Sequence, residues 1–194
     1  MTAPLVLGFD TSGPYCAAAL VRGDVVLDVR VEDMARGQAE RLIGLLNDCL
    51  ASRNLQWSDL DALGVGIGPG NFTGIRISIS AARGLGLGLG IPVVGVSLFE
   101  TTQRLSQWTQ TGVPAPRGQV YYLDPDTAVT PVLLDRAPTS AFALSSAHST
   151  EDHVRTIAAL AGKRADASVP PPKPLYVKPP DAAPARDAPP RVLS

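Results

Sequence analysis

Two short stretches of this 194-residue chain hold residue types that could do chemistry at places where a backbone could aim them. The first is Asp10-Thr11-Ser12, a carboxylate followed by two hydroxyls directly after the apolar run 5–9 (LVLGF). A carboxylate at a strand end is where a metal-dependent nuclease or phosphotransferase begins its metal site. The second is Gly68-Pro69-Gly70, which follows the apolar run 63–67 (LGVGI) and opens a long segment with little turn signal. Glycines around a proline allow positive φ and expose backbone N–H groups where a helix begins, an arrangement that favours an anion or phosphate. No Walker lysine follows and no G-x-G-x-x-G stands at the strand-to-helix position, so a plain tight turn and a ligand-contacting loop both stay open. Asp10, Thr11, Ser12, Gly68, Pro69 and Gly70 are the nucleotide-binding candidates.

Other chemistries fail on residue type or spacing. A two-metal nuclease needs further carboxylates converging on Asp10, one near the end of the fourth strand, and that end reads Gly66-Ile67-Gly68. His148 and His153 are five apart beside a helix start and lack the i, i+4 spacing of a zinc pair, so surface or capping roles are expected. There is no G-x-S-x-G elbow, and no Ser or Cys is paired with a base by spacing. Cys16 and Cys49 are too few for a disulfide framework and read as small buried thiols. No catalytic residue and no metal ligand is assigned, and the purified protein is expected without metal.

The hydrophobic pattern supplies the elements that would hold these loops. Runs 5–9 and 16–21, separated by a polar loop, read as a hairpin. Gly23-Asp24 turns the chain into a third strand in which Val25, Leu27, Val29 and Val31 share one face. From Gln38 the period lengthens: Ala39, Leu42, Ile43, Leu46 and Leu50 mark an amphipathic helix over 39–52, widened by Leu45 and Cys49. Ser58 and Asp61 suggest a short helical turn before the strand at 63–67. Residues 72–88 alternate partly as a strand would, but about fourteen residues from Asn71 without a break favour a helix, with Asn71 its N-cap. The strand at 91–96 closes the unit.

The order β-β-β-α-β-α-β suits an α/β fold of the ribonuclease-H-like class: a mixed five-stranded sheet with helical crossovers. Beyond residue 97 the signal thins. A helix at 98–108, strands at 119–123 and 132–134, and a helix at 150–164 imply a smaller second lobe over 98–165. Nine of the 18 prolines fall in 166–194, which predicts an extended, Pro-rich tail.

A net charge of −1 and a pI near 6.1 give no broad basic footprint for stand-alone nucleic-acid binding. The N-terminal stretch has neither a basic region nor a long apolar run, so a cytoplasmic protein without membrane association is expected.

The run Gly68-Pro69-Gly70-Asn71-Phe72-Thr73-Gly74-Ile75-Arg76-Ile77 resembles the signature GPGSFTGIRIG of the bacterial TsaB or YeaZ family. The resemblance extends to Gly8-Phe9-Asp10-Thr11-Ser12, Arg36-Gly37-Gln38, the glycine-leucine alternation from Gly84 to Gly90 with Ile91-Pro92-Val93, Arg117-Gly118-Gln119-Val120-Tyr121, and Pro174-Leu175-Tyr176-Val177-Lys178-Pro179-Pro180-Asp181. Asn71 stands where the family usually has Ser, Ser78 where it commonly has Gly, and Pro114 and Pro116 where many members read Asp-Ala-Arg; the second lobe is shorter than usual.

The resemblance implies a two-lobed member of the actin/Hsp70/sugar-kinase superfamily with no activity of its own. Such members bind a larger paralogue, TsaD, which carries the metal and the transfer chemistry. With the ATPase TsaE they help it to form N6-threonylcarbamoyladenosine at position 37 of tRNAs that read ANN codons. On this reading the chain meets TsaD directly, TsaE through the complex and tRNA indirectly. The contact surface would be the helices 39–52 and 72–88, through Leu42, Leu45, Leu46, Cys49, Ile75, Ile79, Ala82 and Arg83. The isolated chain would hold no cofactor, with ATP entering only within the complex, and whether the free chain forms a homodimer through the same helices stays open. Two rivals are an autonomous ATP-binding enzyme that uses the Asp10 and Gly68 loops as phosphate clamps, and a glycopeptidase, for which nucleophile, base and metal site are all missing.

Overall fold

A computed structural model of the chain describes residues 3–166 and 168–177. The N-terminal half is a mixed five-stranded sheet in the order β3-β2-β1-β4-β5. Its strands are β1 (Leu5–Asp10), β2 (Tyr15–Arg22), β3 (Val25–Asp33), β4 (Ala62–Gly66) and β5 (Val93–Val96). The first three pair antiparallel, while β4 and β5 join them in parallel through the crossover helices α1 (Gln38–Ala51) and α2 (Phe72–Leu89). The expected fold class is thus found, with the boundaries of these two crossover helices within a residue of those read from the pattern.

Strand alternation splits the core into two layers. Leu5, Leu7, Phe9, Cys16, Ala18, Leu20, Leu63 and Val65 pack against α1 and α2. Val6, Ala17, Ala19, Val21, Ala62, Val94 and Val96 face the other way, against α4 (Thr150–Arg164). This corrects the assignment of α4 to the second lobe: Val154, Ile157, Ala158 and Ala161 cover the far face of the first sheet. The helix comes so close that a Cβ on Gly8 would lie 2.7 Å from the Ala158 backbone nitrogen.

β3 departs from its expected pattern. The pairing with β2 shifts between Leu20 and Val21, leaving Leu27 as an extra residue. A bulge of this kind swaps the two faces of a strand. Leu27 accordingly packs with the α1/α2 layer, whereas Val29 and Val31 pack with the α4 layer. Val25 is 62% exposed.

After α3 (Leu98–Ser106) come β6 (Thr111–Pro114), β7 (Val120–Leu123), β8 (Val132–Leu134) and β9 (Ala143–Leu144), which form a second sheet in the order β8-β7-β6-β9. Of these, β6 and β9 carry no readable sequence pattern. The expected helical turn before β4 is a 3₁₀ turn at Trp57–Asp59. Of the Pro-rich segment, residues 168–177 run without regular structure, and Leu175 N–H bonds the Ile67 carbonyl at 2.9 Å. The expectation for residues 178–194, including the motif end at Asp181, lies outside the described residues.

Candidate functional site

Parallel pairing of β1 with β4 brings the Asp10 loop beside the Gly68 loop. Asp10, 4% exposed, accepts hydrogen bonds from its own loop: Ser12 N–H to Oδ1 at 3.0 Å, and Ser12 Oγ–H (2.8 Å) and Tyr15 Oη–H (2.7 Å) to Oδ2. Burial, and next the Asp10 carboxylate, hold the Tyr15 phenol well above its usual pKa, so it remains the proton donor. Gly66 stands at the end of β4, and a side chain there would run directly into the Asp10 carboxylate.

The two loops are bonded to one another rather than held apart. Thr11 Oγ1 donates to the Gly74 carbonyl at 2.7 Å, and Asn71 N–H to the Ser12 carbonyl at 2.6 Å. A Cβ on Gly70 would be 2.5 Å from that same Ser12 oxygen, and one on Gly74 would overlap the Thr11 carbonyl. The Gly68 carbonyl is taken by Leu98 N–H at 2.8 Å, Gly68 has φ 93°, and the Gly68-Pro69 peptide is cis. Asn71 caps α2 as expected, its Oδ1 accepting from Gly74 N–H at 2.9 Å. The six nucleotide-binding candidates are therefore brought together, as backbone packed on backbone.

The residues expected at the partner surface are placed differently. Leu42, Leu45, Leu46, Cys49, Ile75, Ile79 and Ala82 are all at most 4% exposed, within the layer between α1, α2 and the sheet. They are core, because these faces of the two helices turn to the sheet and to each other. Of the expected set only Arg83 is exposed. The outward residues are Ile43, 42% exposed, Leu87, 87% exposed, and Gly84 and Gly88, whose missing Cβ atoms would meet nothing within 4 Å.

Residues 29–124, which run from β3 to just past β7, match the family described as TsaD, tRNA N6-adenosine threonylcarbamoyltransferase. No curated protein matches the chain. Among solved structures, YeaZ from Pseudomonas aeruginosa aligns with a TM-score of 0.65 at 24% identity, over 83% of this chain and 93% of that one. An uncharacterized protein from Pseudomonas aeruginosa with similarity to peptidase YEAZ aligns with a TM-score of 0.67 at 22% identity, over 90% of this chain and all of its own. The two structural likenesses show that the chain shares the fold of YeaZ.

The run from Gly68 to Ile77 can now be read residue by residue. Asn71 caps, Gly74 admits the Thr11 carbonyl, and Ile75 enters the core. The Arg76 guanidinium lies 3.9 Å over the Phe72 ring, which stacks on Tyr176 at 4.8 Å, while Arg76 Nε–H donates to Tyr176 Oη at 2.9 Å. The residues Arg76 and Tyr176, a hundred positions apart, thus fasten segment 168–177 to the first turn of α2. Ser78, where the family commonly has Gly, is fully buried with its hydroxyl directed at the Ile75 carbonyl, 3.1 Å.

His153 is not a surface residue as its spacing implied. It is 7% exposed, with Nδ1 2.8 Å from Thr101 Oγ1 and Nε2 2.9 Å from the Ser145 carbonyl, so Nε2 carries the proton. Both ring nitrogens are occupied, and burial lowers the pKa. The His148 ring stands edge-on at 6.0 Å. Among the described residues no three His, Cys, Asp or Glu side chains gather as a metal site, and no helix is long and apolar enough to cross a membrane.

Proposed function

We propose that this chain is the non-catalytic, TsaD-binding subunit of a complex that forms N6-threonylcarbamoyladenosine in tRNA. The observation that carries this is the closed Asp10 site. Its carboxylate already accepts three hydrogen bonds from its own loop, and it fills the space that a second acidic side chain at residue 66 would need. Metal-assisted phosphoryl transfer requires carboxylates free to share an ion. The interlocked Thr11–Gly74 and Ser12–Asn71 bonds favour a rigid joint over a pair of phosphate clamps. ATP accordingly enters only with the partner, in the cytoplasm where tRNA is modified.

The surface offered to TsaD is the outer side of α1 and α2: Ile43 on α1, and on α2 Arg83 and Leu87 beside the open glycines Gly84 and Gly88. An apolar side chain as exposed as Leu87, next to backbone that another chain can approach closely, is the composition of an interface core. TsaE joins through TsaD, and tRNA is met indirectly.

The test is co-expression with TsaD of the same organism, followed by gel filtration and a tRNA modification assay. Co-elution, with modification requiring both chains, is the expected result. ATP turnover by this chain alone, abolished in Asp10→Ala, would overturn the proposal.

A further inference from the structure

The exposed residues of α2 include one continuous line. Thr73, Arg76, Ser80, Arg83 and Leu87 are open to solvent at steps of three and four, the spacing at which one helix lays a seam against another. Arg76 and Arg83 stand on it one heptad apart, ~10 Å along the axis. Residues 72–89 contain no Asp or Glu, and among the described residues neither arginine takes part in an ion pair. The stripe therefore carries charge of one sign, and it ends in Leu87, 87% exposed.

Arg76 is also held in one orientation. Its guanidinium lies over the Phe72 ring at 3.9 Å and its Nε–H is given to Tyr176 Oη at 2.9 Å, which leaves the Nη end of the fork for another acceptor. Fixing an exposed arginine costs rotamer entropy that a single exposed hydrogen bond does little to offset, whereas a fork fixed beforehand loses less freedom when a ligand arrives. The first turn of α2 holds no acidic residue. The positive end of the helix dipole and the Arg76 charge therefore add, with nothing on α2 to balance them.

We infer that this stripe receives an acidic helix of TsaD, with two carboxylates a heptad apart facing Arg76 and Arg83 and an apolar side chain lying on Leu87. The identity of the partner rests on the proposed function; the charge asked of it rests on α2 alone. A carboxylate matches the planar guanidinium fork two N–H groups at a time. A phosphate backbone would meet the arginines but leave Leu87 in water, and a chain of net charge −1 has no wider basic surface to hold it. Arg83 and Leu87 already belong to the surface offered to TsaD. Arg76 extends that surface to the start of α2, and Tyr176 becomes its positioning residue.

The experiment titrates the full chain with purified TsaD of the same organism, by calorimetry, in about 50 mM and about 300 mM chloride. Binding that weakens at the higher salt is expected. Arg76→Gln and Arg83→Gln should each weaken it about tenfold at low salt, the scale of one charge-assisted hydrogen bond, and should flatten the salt dependence. Arg76→Lys keeps the charge but loses the planar fork, so it should not restore affinity. Tyr176→Phe keeps the stack but frees Nε, and should weaken binding about threefold, the cost of one side chain left to be ordered. Circular dichroism and melting of each variant separate lost binding from lost folding. Wild-type affinity equal at both salts overturns the inference and leaves the proposed function standing. Arginine variants that melt lower but bind TsaD like wild type do the same, leaving Arg76 as a fastener of segment 168–177 only. Wild-type protein that does not bind TsaD overturns the proposed function and this inference with it. If the arginine variants abolish self-association of the chain, or binding of a tRNA transcript, while TsaD affinity is unchanged, the stripe belongs to a second copy or to nucleic acid and the inference is overturned.

Discussion

The Asp10 carboxylate occupies the space into which a side chain at Gly66 would project. The end of β4, the position where a second acidic group would complete a metal site, is therefore closed by the first. Gly66→Ala should destabilise the fold by about 1–3 kcal/mol, as overpacking does in tight cores. Asp10→Ala should cost about as much, because Ser12 and Tyr15 lose a shared acceptor. Chemical denaturation of both variants checks this. A Gly66→Ala midpoint equal to wild type would mean that the carboxylate moves aside freely.

Burial divides α1 and α2 into two sets of residues with opposite behaviour. Leu45→Glu and Ala82→Glu place a charge at fully buried sites and should unfold the chain. On the proposed function, Ile43→Glu and Leu87→Glu, at exposed positions, should leave melting unchanged while removing co-purification with TsaD. Folded Leu45→Glu protein would contradict the core placement, and undiminished TsaD binding by both exposed variants would move the interface to another face.

Much of this was legible beforehand, and the failures share a cause. Periodicity shows which side of a helix is apolar, not how many neighbours share that side. For α1 the wide stripe from Leu42 to Leu50 reads equally as a core facing a sheet and a second helix, or as a core plus a docking surface. The same ambiguity misplaced α4, whose Val154, Ile157 and Ala161 could have faced either sheet. β6 ends in Pro114 and β9 has two residues, so both depend on pairing partners that local pattern does not reveal. The Leu27 bulge inverted a face for the same reason. The Asp10 and Gly68 loops were found because turn residues after short apolar runs are local signals.

His153 should make stability pH-dependent in a window set by its environment. Burial lowers its native pKa, so the unfolded chain, titrating near about 6.5, binds the proton first. Stability is therefore full above that pH and falls as the pH drops below it. Glu32, held low by Arg41, and Asp152, held low by Ser149, add their own losses only at more acidic pH. His153→Gln should flatten the curve just below about pH 6.5, read from denaturant midpoints. An unchanged slope in that variant would assign the dependence elsewhere.

Both thiols should be inert in the native state. Burial, with smaller contributions from nearby acidic groups, pushes Cys16 up to about 11 and Cys49 up to about 12, and neither is solvent-exposed. The thiolate is the reactive form. A colourless thiol assay in buffer, rising to two equivalents in denaturant, is expected; rapid native labelling would show that α1 opens.

The Arg76–Tyr176 bond lies at an exposed position, so Tyr176→Phe should cost about 0.5–1.5 kcal/mol or less. Tyr176→Ala should cost more, since stacking on Phe72 goes with it. Melting temperatures in that order are the check; identical values would show that segment 168–177 is held by its other contacts, the Leu175 bond to Ile67 and the packing of Pro172 on Gly95.

The late return of α4 sets a schedule for synthesis. A ribosome releases β1 to β5 well before residue 164, a delay on the order of several seconds at about 5–20 residues per second. Throughout that interval the side carrying Val6, Ala17, Ala19, Val21, Val94 and Val96 has no cover of its own. The nascent sheet must wait with one greasy surface bare, a natural client for a holding chaperone. Any message cut short between β5 and α4 yields a fragment bound for aggregation or degradation.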